Sequence, residues 1–177
     1  IRNLQNTVAN VLIYGEPGTG KELAANIIHF NSQRKDKPFV RVDCTGLQEK
    51  LLEGELFGHV PGAFESVSGS AQGAFEKARG GTVFLKHVHA LSLSLQAKLL
   101  RVLQEGLFEP LGGDKTIETD ARVICSTHMD LKKRYEEGLF RQDFLYRISV
   151  VTLEKVPLRE RAEDIPILAE HFLKYFS

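Results

Sequence analysis

The stretch Gly15-Glu16-Pro17-Gly18-Thr19-Gly20-Lys21-Glu22 constrains this chain more than any other. It fits the pattern G-x-x-x-x-G-K. It stands between a short apolar run, Val11-Leu12-Ile13-Tyr14, and a segment with helical spacing over 21–32. A strand that turns through glycines into a helix lets backbone N–H groups curl inward around phosphate oxygens. The helix N-terminus adds about half a positive charge at the same place. Lys21 then reaches the outer phosphates, and Glu22 stands where the general pattern has Ser or Thr to touch Mg²⁺. All eight residues are candidate phosphate-site residues.

The remaining chain alternates short apolar runs with helical patterns. In the first helix Leu23 and Ile27, and Ala24 and Ile28, pair at i,i+4. Further strands are expected over 39–43, 82–85, 121–126 and 148–153, and further helices over 48–56, 95–107, 130–137, 144–147 and 164–176. Residues 58–73, rich in Gly and Ser, read as a loop or projecting hairpin, and Gly112-Gly113 as a turn. Strands separated by helices make βαβ units. The expected fold is α/β: a P-loop three-layer sandwich around a mainly parallel five-stranded sheet. Ligands of such sheets sit beyond the carboxyl ends of the strands.

Charge narrows the function. The 177 residues carry 23 Lys+Arg against 23 Asp+Glu, without the basic excess of a principal nucleic-acid contact, though a local basic pocket stays open. No apolar run approaches the roughly 18 residues of a membrane span. Cys44 and Cys125 make no disulfide framework and read as buried free thiols. The start at Ile1 has neither an initiator Met nor a signal-peptide pattern, and suggests excision from something longer.

Gly-x-x-Gly-x-Gly-Lys-Glu resembles the phosphate loop of the AAA+ central domain of the bacterial enhancer-binding proteins, the NtrC-like activators of polymerase carrying sigma-54. Five further segments resemble that family in order. Glu55-Leu56-Phe57-Gly58-His59 with Gly62-Ala63-Phe64 is similar to its ELFGH…GAF segment. Gly80-Gly81-Thr82-Val83-Phe84-Leu85 is similar to its GGTLFL strand, and the run from Gln96 to Glu105 to its QxKLLRVLQE helix. Arg141 and Arg147 match its two arginine fingers, and Pro157-Leu158-Arg159-Glu160-Arg161 its PLRER. The resemblance implies a subdomain over 1–162 and the start of a helical lid over 163–177. It implies ATP or ADP as ligand, self-association into a dimer or ring, and contact with RNA polymerase through the loop near Phe64. DNA contact would come only through a C-terminal domain outside this chain, and a receiver or sensor domain could precede it, as in a response regulator of the cytoplasm.

The departures from that pattern cluster. The family's strand after GGTLFL ends in Asp-Glu, which hold the Mg²⁺ hydration shell and activate water; here Lys86 and His87 stand there. Loss of a general base costs about 10²–10⁴-fold in rate. A lysine in place of the Asp repels a divalent ion and leaves Mg²⁺ to phosphate oxygens and water. The family's Asn before Cys is Asp43, and its γ-phosphate-sensing Asn is His128. Its GAFTGA reads Gly62-Ala63-Phe64-Glu65-Ser66-Val67. His87 and His89 at i,i+2 read as surface polar residues rather than a metal pair, because no third ligand is evident. The expectation is a nucleotide-binding and oligomerisation module of a transcription regulator with ATP hydrolysis lost. Two alternatives stay open: an active sigma-54-dependent ATPase, and a domain answering to cyclic di-GMP. An unrelated P-loop kinase or small NTPase fits poorly, since no acceptor-substrate site is visible.

Overall fold

A computed structural model describes residues 7–63 and 69–176. Five strands form one all-parallel sheet: β1 (Val11–Gly15), β2 (Phe39–Asp43), β5 (Thr82–Lys86), β8 (Arg122–Thr127) and β9 (Val151–Lys155), in the order β2-β5-β8-β1-β9. The helices are α1 (Lys21–Phe30), α2 (Glu49–Phe57), α3 (Ala74–Lys77), α4 (Leu93–Glu105), α5 (Leu131–Glu136), α6 (Gln142–Ile148) and α7 (Ile165–Phe176). Two small antiparallel hairpins complete it: β3 (Gly58–His59) with β4 (Ala71–Gln72), and β6 (Leu107–Phe108) with β7 (Ile117–Glu118).

Alternation along the central strands sorts side chains onto two faces. Val11, Ile13, Phe84 and Ile124 pack on Ala24, Ala25 and Ile28 of α1. Leu12, Val83, Leu85, Val123 and Cys125 meet Leu56, Phe75, Leu95, Leu99 and Phe144 from α2, α3, α4 and α6. The register β5–β8–β1 sets Leu85 beside Cys125 and Cys125 beside Leu12, so one apolar row runs across the sheet. Burial on both sides explains why these strands read as continuous apolar runs. Cys44 and Cys125 are buried free thiols, and burial pushes Cys44 up to about 12.

The expected order of elements holds, with local corrections. α1 ends at Phe30, and its buried stripe is Ala24, Ala25 and Ile28; Leu23 and Ile27 are exposed. α4 starts at Leu93 because the Ser92 hydroxyl accepts from the Leu95 amide. It stops at Glu105 because Gly106 takes a left-handed conformation, so Leu107 belongs to a hairpin strand rather than to the helix. Ile148 closes α6 instead of opening the last strand, which begins at Val151. The hairpin read over 58–73 is present at its base in β3 and β4. Residues Phe64 to Ser68 lie outside the described residues, and with them the polymerase-contact reading of Phe64. No helix among the described residues is long and apolar enough to cross a membrane.

Candidate functional site

The loop between β1 and α1 sits at the carboxyl edge of the sheet. Gly18 and Gly20 have φ of 78° and 83°, and a Cβ at either would meet nothing within 4 Å. These are left-handed turns in which side chains are strained and the backbone stays accessible. The Lys21 ammonium folds back over the loop and donates to the carbonyls of Gly15 at 2.7 Å and Glu16 at 2.8 Å. Burial lowers its pKa. Thr19 Oγ1 donates to the Glu16 carbonyl at 2.8 Å and tightens the turn. Pro17 needs no amide partner in such a turn. The loop therefore holds its lysine on its own carbonyls, and these are bonds that a phosphate would replace.

Two arginines that the sequence left without a role brace this loop. Arg159 forms a two-pronged pair with the Glu16 carboxylate, at 2.6 and 2.7 Å. Arg161 donates to the Thr19 carbonyl at 3.4 Å and pairs with Asp164 at 3.3 Å. The Arg159 hydrogen bond holds the Glu16 carboxyl below its ordinary value. A charged pair flanking a loop carries no sequence signature of its own, and 143 positions separate the partners.

Beside the loop, β5 and β2 end together, with Asp43 paired in register to Lys86. The Lys86 ammonium lies 3.4 Å from Asp43 and 3.5 Å from Glu22, and Glu22 also meets Arg41 at 3.3 Å. Burial works against the Lys86 charge, but Asp43 and Glu22 raise its pKa above the ordinary value. His87 Nδ1 lies 2.9 Å from the same Asp43 carboxylate. Burial alone would raise Asp43; hydrogen bonds from His87 and from the hydroxyl and amide of Thr45 hold it well below the carboxylate range instead. His87 has φ 55°, a left-handed conformation that costs a non-glycine residue about 1–2 kcal/mol. This donor set does not suit Mg²⁺, because the Lys86 ammonium already stands between the two carboxylates. Among the described residues no group of three or more His, Cys, Asp and Glu side chains is placed to hold a metal ion.

His89 is buried rather than on the surface, and a third imidazole does join the pair. The rings of His89 and His128 lie 4.5 Å apart, and each lies about 6 Å from His87, at 5.9 and 6.0 Å. His89 Nδ1 is 3.0 Å from Thr127 Oγ1. Burial first, then His128, His87, Arg134 and Lys21, lowers His89 to about 4. Burial and the Lys21 charge lower His128 too. The sequence separates His89 from His128 by a whole βαβ passage, which is why the cluster was not visible there.

A stability prediction follows. His89 titrates near 6.5 when unfolded and near 4 when folded. The folded chain thus binds fewer protons between those values, and its stability is full above pH 6.5 and falls toward pH 4. The loss is about 2–3 kcal/mol from this group. Buried His29 contributes with the same sign, and Asp43 only below pH 4. Urea unfolding at pH 7.5 and 4.5 should show His89→Gln losing about 2 kcal/mol less than the parent over that interval.

Arg141 and Arg147 stand at the two ends of α6. Arg141 donates its amide to the buried Gln96 side chain at 2.7 Å and pairs its guanidinium with Asp143 at 2.7 and 3.1 Å. Arg147 caps α4 by donating to the Leu103 carbonyl. Neither makes a hydrogen bond to the loop Gly15–Lys21 of its own chain among the described residues. A groove lies elsewhere, against β1, β8 and β9, lined by Tyr14, Met129, Tyr135 and Tyr146, and it does not include Lys21.

Residues 1–154 match the family model described as the sigma-54 interaction domain. The regulatory protein AtoC of Escherichia coli (strain K12) is 53% identical over 169 residues, covering 96% of this chain and 37% of AtoC. The crystal structure of NtrX from Brucella abortus in complex with ATP is 38% identical, with a TM-score of 0.91 over 99% of this chain and 38% of that one. The P-loop NTPase domain of an E. coli sigma-54 transport activator, 22% identical with a TM-score of 0.59 over 89% of each chain, shares the fold. The chain thus spans between about a quarter and two fifths of the length of the relatives it matches.

Proposed function

The chain belongs to the sigma-54 interaction domain family, with the AAA+ P-loop fold, and on that premise we propose that it binds a nucleoside phosphate without a tightly held metal and does not hydrolyse it. Gly15, Glu16, Pro17, Gly18, Thr19, Gly20, Lys21 and Glu22 would form the cradle, and His128 would meet the far end of the phosphate chain. The NtrX complex with ATP supports the nucleotide. One observation carries the loss of hydrolysis: the Lys86 ammonium, between Asp43 and Glu22, fills the place where the resemblance puts an acidic pair. A tethered cation there would offset phosphate charge as a metal does, but it activates no water.

Binding would serve assembly. Arg141 and Arg147 stand at the two ends of α6, make no hydrogen bond to their own loop among the described residues, and are half-exposed and exposed. In a ring or dimer they would reach a neighbouring copy's phosphates, where guanidinium pairs bidentately with phosphate oxygens. Polymerase contact through the Phe64 loop, and DNA contact through a further domain, belong to the whole protein.

Calorimetric titration in EDTA tests this reading. ATP or ADP should bind, and Mg²⁺ should change the affinity by less than about threefold. Lys21→Ala should lose at least about 100-fold, the worth of two charge-assisted hydrogen bonds. Cyclic di-GMP is the third ligand of the same titration. The 53% identity to AtoC favours a second reading, a working ATPase. Steady phosphate release that disappears in Lys21→Ala would establish it and remove the first.

A further inference from the structure

We propose that Gln96 is the positioning residue for Arg141: its buried amide fixes the peptide from which Arg141 reaches the nucleotide of a second copy of this chain. This rests on the nucleotide and assembly reading above, and names the group that sets the arginine in place before a neighbour arrives.

One side chain joins three segments. Gln96 lies on α4 and is fully buried. Its Oε1 accepts the Arg141 amide at 2.7 Å. Its Nε2 donates to the Leu91 carbonyl at 2.8 Å and to the Leu139 carbonyl at 3.3 Å. Both carbonyls can only accept, so the side-chain amide has one orientation, with its oxygen facing the Arg141 N–H. Leu91 closes the turn Val88–Ala90 that follows β5, and Leu139 and Arg141 lie at the entry to α6. The strand that ends in Lys86, the helix α4 and the arginine segment thus meet on one group.

Packing alone does not call for a glutamine here. Phe140 and Phe144 are buried on either side of Arg141, with ring centroids 5.5 Å apart, and they seat the segment in the core. Apolar contact is non-directional. It holds the segment down without fixing the rotation of the peptide between the rings. The three hydrogen bonds of Gln96 supply that direction, and an apolar side chain in its place would leave the Arg141 amide and both carbonyls without this partner.

The guanidinium is held differently. Asp143 grips it at 2.7 and 3.1 Å, and both side chains are half-exposed, at 41% and 45%. An exposed pair of this kind contributes little, and it gives way to a phosphate that accepts two N–H groups at once. Arg141 therefore has a releasable tip on a fixed root. A root ordered in advance removes an ordering cost from association. Arg147 is the converse case, because α4 holds its guanidinium, through the Leu103 carbonyl.

The test is a double-mutant cycle on ATP-dependent self-association, followed by sedimentation in EDTA. In the parent, ATP should strengthen association by at least about tenfold. Gln96→Met, close in length and without the amide, should lose that strengthening to within about twofold of Arg141→Ala, and the double variant should lose no more. The ATP affinity of dilute Gln96→Met protein, and its association without ATP, should each stay within about threefold of the parent. A merely structural glutamine gives a different pattern: association weakened alike with and without ATP, or a loss that adds to that of Arg141→Ala. Either result overturns the proposal, as does full ATP-dependent strengthening in Gln96→Met. Should Gln96→Met fail to fold, the parent decides. Its Arg141 amide, in dilute protein without nucleotide, should exchange with solvent at least about 100-fold slower than an open amide. Exchange at the open rate, or protection that arises only with ATP and a neighbour, overturns the proposal. If ATP binds the parent but leaves its association unchanged, the assembly reading falls and this inference with it; if ATP does not bind at all, the cradle reading falls as well.

Discussion

Replacing Lys86 with Asp and His87 with Glu should raise ATP turnover by at least about 100-fold. A restored general base is worth about 10²–10⁴-fold in rate, and the departing ammonium frees Asp43 and Glu22 from the pairs at 3.4 and 3.5 Å that now neutralise them. The new Asp would stand where Lys86 does now, beside α1, and could help hold Mg²⁺ among phosphate oxygens. The new Glu would inherit the left-handed backbone of His87, φ 55°, and with it a fixed direction of the side chain. His128 and Asp43 would still depart from the family's pattern, so the gain should fall toward the lower end of the range. Phosphate release measured on parent and double variant decides it. A parent that already turns over as fast as the variant would place the chain among ordinary ATPases of its family.

Gly81→Ala should destabilise the fold by about 4 kcal/mol, a large effect for a single substitution. A Cβ at Gly81 would stand 2.0 Å from the Pro38 carbonyl oxygen and 2.9 Å from its carbon. Both are backbone atoms at the entry to β2, and neither can rotate away. The same carbonyl accepts the Thr82 amide at 2.9 Å, so the intrusion pushes apart the first rung of β2 and β5. That rung sets the register that brings Asp43 opposite Lys86 four residues later. Chemical unfolding of Gly81→Ala should show the midpoint fall, and Gly80→Ala, where a Cβ meets only the Lys37 side chain at 3.9 Å, separates crowding from the backbone cost of a positive φ.

The sheet was legible because burial on both faces makes each central strand a bare apolar run, as in Val83-Phe84-Leu85 and Val123-Ile124-Cys125. The phosphate loop was legible because glycine spacing and lysine position are local. Local signals mark boundaries less well. Ser92 and Gly106 cap α4 one residue outside each end, by accepting a single amide and by turning left-handed, which hydrophobic spacing does not register. Contacts between distant segments were invisible. Arg159 reaches Glu16, Gln96 reaches Arg141, and His128 reaches His89 only once the parallel sheet has aligned their strands and loops. The sequence showed which polar residues were unusual; it took the fold to show that Lys86 and Asp43 are partners and that three imidazoles share one corner.

The braces from Arg159 and Arg161 give the phosphate loop a mechanical linkage to the segment that leaves β9. Glu16 and Thr19 flank Pro17 and Gly18, so the tip of the loop is tethered at both shoulders to the short run 159–161. Widening the loop around a ligand draws that run along or breaks its ties, and displacing the run tugs on the loop. Because α7 begins only four residues past Arg161, at Ile165, the helix is the far arm of this lever. The posture of whatever follows β9 and the shape of the loop are therefore two readings of one spring.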